Sequence, residues 1–261
     1  MLLSVVTPSF NSGEFISETL DSVAALRTPY EQWVIDGGST DATIALLESR
    51  EDPALHWVSE PDRGQTHAVN KGLERATGDV CGWLNADDTY IPEAVDRALD
   101  HMDSHPEVDV VFGGVHFTDG EARTRRVYVP GAYSWPRYLF LGDYIPTPTF
   151  LFRRSLLEET GLLHESWVDA ADYDFYLRLL HGRRVERIPE PLVRFRYHEG
   201  SKTARDAMKA QGEAAQIRLQ WARGHRDRLI MVGFDSAKKA ILPRVSGWPE
   251  PYGKVRSRGA E

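Results

Sequence analysis

The chain has 261 residues, 41% hydrophobic and 27% charged, with a formal charge of −8 and one cysteine. That composition fits a soluble chain with a sizeable core, and Cys81, inside an apolar run, cannot form an internal disulfide. The acidic balance argues against general nucleic-acid binding, so an anionic ligand would be held locally by a few placed cations, helix N-termini or a metal. "LLSVVTP" predicts a buried strand, entered without the basic segment of a secretory leader. A helix follows, with Phe15, Thr19 and Val23 on one stripe and Ile16 and Leu20 beside it. "EQWVID" predicts a second strand, and "GGSTD" a turn whose Asp41 can cap the helix "ATIALLESR". "LHWVS" predicts a third strand, followed by "EPDRGQ" and a helix through "THAVNKGLERA". "DVCGWLN" predicts a fourth strand, Pro92 opens a helix in the turn where proline is tolerated, and "VDVVFGG" predicts a fifth.

After residue 114 the rhythm changes. "GVHFTDG" and "RRVYVP" pattern as a β-hairpin, and "GAYSWPRYLFLGDYIPTP" as a long aromatic loop of the functional kind. Then come "TFLFRR", a helix "SLLEETG", a helix "DYDFYLRLLHG" and a strand "LVRFRYH". The tail beyond Lys202 reads as helical to about Leu229 and irregular after it. No run approaches the roughly 20 apolar residues that span a bilayer, so a cytoplasmic protein is expected. Peripheral contact with the inner face of a membrane stays open through "RLQWARGHRDRLIM", although a solvated helix face is the plainer reading.

Strand–helix alternation with short apolar strands implies a mainly parallel sheet covered on both faces. Ligands bind at the carboxyl ends of such strands. Three polar clusters fall there: "PSFN", "DGGSTD" and "NADD". Asp87 and Asp88 at the end of a buried strand have two readings. One of them could cap the helix at Pro92; a hard divalent cation would account for both and relieve their repulsion. "DAADYDFYLRL" is equally double: Asp172 or Asp169 could be an N-cap, or an acid there could take a proton from a hydroxyl nucleophile. Tyr173, Tyr176, Leu177 and Leu180 share one apolar face, and Asp174 is placed to pair with Arg178. Trp135, Tyr138 and Tyr144 could stack on a ligand or pack a lid, and His67 and His116 carry no assignment.

These motifs, in this order, resemble family 2 glycosyltransferases, nucleotide-sugar-dependent inverting enzymes of the GT-A fold. The likeness runs from "SVVTPSFN" through "VIDGGSTDAT", "EPDRGQTHAVNKGLERATGDVCGWLNADD" and "DAADYDFYLRL" to about "YHEGS". It implies a Rossmann-like, mainly parallel α/β sheet flanked by helices, with a smaller antiparallel acceptor-side region and a helical tail. The implied boundaries are a single domain over 1–225, with a donor half at 1–114, an acceptor half at 115–200 and an extension at 201–261. Carried over by motif, Pro8, Ser9 and Asn11 would line the base pocket with Glu14 close by, and Asp36 would bond the base edge, with Ser39 in the same turn. Arg63 would lie near the diphosphate or donor sugar. The first acid of the D-x-D motif is Asn85 here, so the ribose contact becomes an amide contact or is lost. Asp87 would be the first choice of metal ligand and Asp88 the second, and His198 would complete the shell around Mn²⁺ or Mg²⁺. The base falls at Asp172, with Ala171 where a second acid is common.

The function so implied is inverting transfer of a sugar from a nucleoside-diphosphate donor to an acceptor hydroxyl. UDP comes first among the nucleotides. A glycan or lipid-linked saccharide is the expected acceptor, before a natural product or protein side chain. Two alternatives are a nucleotidyltransferase and a non-catalytic nucleotide-sugar-binding protein. The first lacks support because "PSFNSGEF" has one glycine and no lysine where a basic phosphate loop is usual. The second would be expected to lose Asp87 or Asp172, and both are present.

Overall fold

The computed structural model describes residues 1–198 and 202–222. Two compact units, Met1–His198 and Glu199–Glu261, divide the chain. The first opens with β1 (Leu3–Ser9), α1 (Ile16–Ala24), β2 (Tyr30–Asp36), α2 (Thr43–Glu48), β3 (Leu55–Ser59), α3 (Gln65–Arg75) and β4 (Val80–Trp83). It continues with β5 (Thr89–Tyr90), α4 (Pro92–Ser104), β6 (Val110–Thr118), β7 (Thr124–Tyr128) and α5 (Trp135–Leu141). A 3-10 turn at Thr147–Thr149 leads to β8 (Leu151–Arg153), α6 (Leu156–Thr160), α7 (Ala171–Leu180) and β9 (Val185–Arg196). The second unit contributes α8 (Lys202–Trp221). The rest of the predicted tail, including most of "RLQWARGHRDRLIM", lies outside the described residues. No described helix is long and apolar enough to cross a membrane.

One mixed sheet runs β3-β2-β1-β4-β8-β6-β9-β5, with β7 on β6. The first four strands are parallel, as their unbroken apolar runs require. β8 then reverses direction between β4 and β6. The side chains of Leu3, Val5, Val80, Val111 and Val193 meet Val95, Leu99 and Met102 of α4 in one core, while α3 packs on β1 and β2. Gly72 of α3 allows that approach: a Cβ there would lie 2.3 Å from Val6 Cγ1, and Val6 is wholly buried on a stiff strand. Gly72→Ala is therefore expected to cost about 1–3 kcal/mol by overpacking, a Tm loss of roughly 2–10 °C that differential scanning fluorimetry would read.

The predicted fifth strand and the first arm of the hairpin are one continuous strand, β6, paired with β7 as foreseen. A glycine inside the strand pattern reads as a break; here Gly114 makes room for a neighbour, since a Cβ would meet Tyr128 O at 2.4 Å. β9 begins at Val185, seven residues before the predicted start, because Pro189 and Pro191 are absorbed where the β6–β9 register shifts. The long aromatic loop contains α5, with a proline in its first turn and Tyr138 and Leu139 as its buried anchors.

Glu31 ties three segments together. Its buried carboxylate accepts from the Ser4 hydroxyl at 2.5 Å, the Thr77 N–H at 2.6 Å and the Thr77 hydroxyl at 3.0 Å. Burial pushes its pKa up, but these bonds and the Gly78 N–H outweigh it and hold the carboxyl below its usual value. A depressed folded-state pKa gives stability that is present above the unfolded value, about 4.3, and lost as pH falls through the folded one. Melting curves between pH 7 and 3 should show Glu31→Gln destabilised by about 1–3 kcal/mol at neutral pH, with the gap from wild type closing in acid. A constant gap across that range would contradict the assignment.

Candidate active site at the carboxyl edge of the sheet

The turns after β1 and β2 are built as a pair. Asn11 adopts φ 49°, a left-handed conformation asparagine tolerates, and its N–H donates to Ser39 Oγ at 2.7 Å. Its Oδ1 accepts the Thr40 N–H at 2.9 Å. Asp41 bonds the N–H and hydroxyl of Thr43 at the head of α2 and reaches back to the Gly13 N–H. Asp36 is wholly buried: Oδ2 takes the N–H groups of Gly38 and Ser39 and the Ser59 hydroxyl, and Oδ1 takes the Ser39 hydroxyl. Any base contact from Asp36 would have to come through Oδ1. Pro8 is buried in β1, and Glu14 is exposed beyond it. Ser9 is 5% exposed, and its Oγ has no hydrogen-bond partner among the described residues. Phe10 beside it is 64% exposed, a site candidate that the sequence reading passed over. The signal was an aromatic set among the small polar residues of a strand-end turn.

The "NADD" turn resolves the puzzle of adjacent carboxylates by sending them opposite ways. Asp87 is half-buried, with Oδ2 3.1 Å from His198 Nε2. Asp88 is 1% exposed; Oδ1 accepts the Arg196 N–H at 2.9 Å and Oδ2 accepts from Asn85 Nδ2 at 3.0 Å. Burial first, then the Asp87 charge, push the Asp88 carboxyl well above the usual range, against the pull of those two bonds. Asn85 Oδ1 takes Trp83 Nε1 and Gln65 Nε2, each at 2.9 Å. The helix-cap reading of this pair does not hold, because α4 starts after Ile91 with no side-chain cap. His198 packs on Phe15 with ring centroids 4.7 Å apart. Among the described residues no group of three His, Cys, Asp or Glu is arranged to hold a metal; Asp87 and His198 form a pair.

Arg63 is exposed and meets Glu165 with Nε and Nη2 at 2.8 and 2.9 Å, a two-pronged ion pair. Glu165 lies in a segment held from two sides. Asn70 of α3 exchanges two hydrogen bonds with the Leu163 backbone. Asp174, paired with Arg178 as expected, also holds His164 at 2.9 Å. His67 accepts the Arg63 N–H. Asp172 sits in the first turn of α7, whose formal cap is Ala170 with no side-chain bond, so the plain N-cap reading fails for it as well. Its Oδ2 accepts the Thr147 hydroxyl at 2.8 Å, and the turn carrying Thr147 packs on β4. Tyr138 and Tyr144 are buried; Trp135 is half-buried and donates to Leu177 O. Burial, then nearby carboxylate charge that includes Asp172, holds the Tyr138 and Tyr176 phenols well above their usual range. Burial pushes the Cys81 thiol up to about 12, as suits a small core residue.

The clasped turns of β1 and β2, the acid–histidine pair and Asp172 at the head of α7 all belong to the first unit and its mixed sheet. The fold is similar to Staphylococcus aureus TarS 1–349 in complex with UDP-GlcNAc, at TM-score 0.71 and 20% identity over 96% of this chain and 78% of that one. It is also similar to the mannosyltransferase PcManGT from Pyrobaculum calidifontis in complex with GDP-Man and Mn²⁺, at TM-score 0.64 and 19% identity over 95% and 76% of the two chains. In sequence, an uncharacterized glycosyltransferase of Mycobacterium tuberculosis is 33% identical over 180 residues, 67% of this chain and 68% of the relative. The profile of glycosyl transferase family 2 matches residues 4–161, and the chain belongs to that family.

Proposed function

We propose that this chain moves a sugar from a nucleoside-diphosphate donor, UDP first among the nucleotides, to a saccharide hydroxyl, with inversion and with Mn²⁺ or Mg²⁺. The observation that carries the reading is the Asp87–His198 pair at the end of β4, beside the clasped turns of β1 and β2. The buried Ser9 hydroxyl offers the base a hydrogen bond, and the exposed Phe10 ring offers a stacking surface. A carboxylate oxygen and an imidazole nitrogen both suit Mn²⁺. Asp87 and His198, with Oδ2 and Nε2 3.1 Å apart, are the residues that would hold it. A cation held there supplies charge neutralisation for the departing diphosphate.

Asp172 accepts the proton of the acceptor hydroxyl as its oxygen attacks the anomeric carbon; the bond to the diphosphate breaks on the opposite face in the same displacement. The Thr147 hydroxyl orients Asp172 for this. The phenols of Tyr138 and Tyr176 stay protonated, which leaves Asp172 as the proton acceptor among these three. Complexes of TarS with UDP-GlcNAc and of PcManGT with GDP-Man and Mn²⁺ support a nucleotide-sugar donor and a metal by fold analogy. Calorimetric titration of UDP, GDP and dTDP with and without Mn²⁺ tests the donor site. One nucleotide should bind, and only with the metal; if none binds under either condition, the reading fails.

A further inference from the structure

We propose that Asp88 is a positioning residue and not a metal ligand, and that Asn85 replaces an acid because the buried Asp88 needs a donor at its side. The consequence for the metal rests on the function proposed above. Each oxygen of Asp88 is committed to a group of the protein: Oδ1 to the backbone N–H of Arg196 and Oδ2 to the Asn85 amide. The turn is fixed further by the buried Thr19 hydroxyl, which lies 2.9 Å from Ala86 O and 2.8 Å from Asp88 O. Arg196 is anchored in turn. Its guanidinium, on a residue 5% exposed, pairs with Glu18 at 2.5 Å and lies 4.6 Å from the centroid of the Phe15 ring. Two residues on, His198 packs on the same ring and meets Asp87. Asp88 thus sets the end of β9, and through it the imidazole that faces Asp87.

Donor and acceptor are matched along this path, so single changes set like against like. Aspartate at 85 would put a carboxylate oxygen about 3 Å from Asp88 Oδ2 in place of the amide N–H that Asp88 now accepts. An amide at 88 would turn an N–H toward Asn85 Nδ2 or the Arg196 N–H. The exchange N85D/D88N restores the match. Residue 85 then accepts from Trp83, Gln65 and the new amide, residue 88 still accepts from Arg196, and the charge is unchanged.

The test measures Tm, and Mn²⁺ affinity by the electron paramagnetic resonance of free Mn²⁺ with UDP present, for wild type, N85D, D88N and N85D/D88N. Each single variant should lose about 4–10 °C and bind Mn²⁺ roughly 10–100-fold more weakly. The exchange should recover most of the Tm and bring Mn²⁺ affinity back within about threefold of wild type, on the scale of that outer-shell effect. Recovery of Tm without recovery of Mn²⁺ binding would make Asp88 a direct ligand and overturn the proposal. Failure of the exchange to recover Tm would overturn the donor–acceptor pairing. A wild type that binds no Mn²⁺ sinks the metal reading instead, and the Tm series still decides the pairing.

Discussion

Asp172→Asn should lower the rate of sugar transfer by about 10²- to 10⁴-fold while leaving nucleotide affinity within about twofold of wild type. A sugar hydroxyl becomes a competent nucleophile only as its proton leaves, and the amide cannot take that proton. The loss corresponds to roughly 2.7–5.5 kcal/mol of transition-state stabilisation. The substitution is nearly isosteric: its oxygen can keep the Tyr173 N–H and its amide can donate to the Thr147 hydroxyl, which accepts as well as donates, so the corner against β4 should stay folded. Transfer to a panel of saccharides, with slow donor hydrolysis as the fallback signal, would supply the rate, and calorimetry the affinity. A variant that transfers within threefold of wild type would remove Asp172 from the chemistry. One that also loses nucleotide binding would make its role structural.

Asp87→Ala should abolish the dependence of nucleotide binding on Mn²⁺ and weaken binding in its presence by at least about 100-fold, several kcal/mol of electrostatic stabilisation at the diphosphate. Among the described residues Asp87 and His198 form a pair with no third acid, histidine or cysteine grouped with them to hold a metal, so each would carry a large share of any affinity for a cation. The fold should tolerate the change, because Asp87 is half-buried and, among the described residues, bonds His198 alone. Unchanged Mn²⁺ dependence in this variant would move the metal elsewhere.

The strand–helix rhythm of the first 104 residues was legible because each parallel strand is buried on both faces and so is written as an unbroken apolar run. The two-residue β5 was too short to leave a period, and β6 was split by glycines that serve packing. The family motifs put Asp87, His198 and Asp172 forward as candidates, and each lies where a strand or helix begins or ends. What could not be read was direction. Nothing in "NADD" says that one carboxylate turns toward His198 and its neighbour toward Arg196; the partner residues lie on β9 and just beyond it. Arg63 was placed near a diphosphate, and its bond to Glu165 was invisible for the same reason, a partner 102 residues away.

Those separations give the site an order of assembly. The clasp between the turns of β1 and β2 joins Asn11 to Ser39, 28 residues apart, and can close early. Asp87 and His198 are 111 residues apart, and Glu18 and Arg196 are 178. Closing such long loops yields nothing until the strands that reward it are in place. During synthesis, then, the turns after β1 and β2 can form on the nascent chain well before β9 leaves the ribosome, and the acid–histidine pair must be among the last contacts made. Capture of a metal at that pair would report that the first unit has folded through to its end.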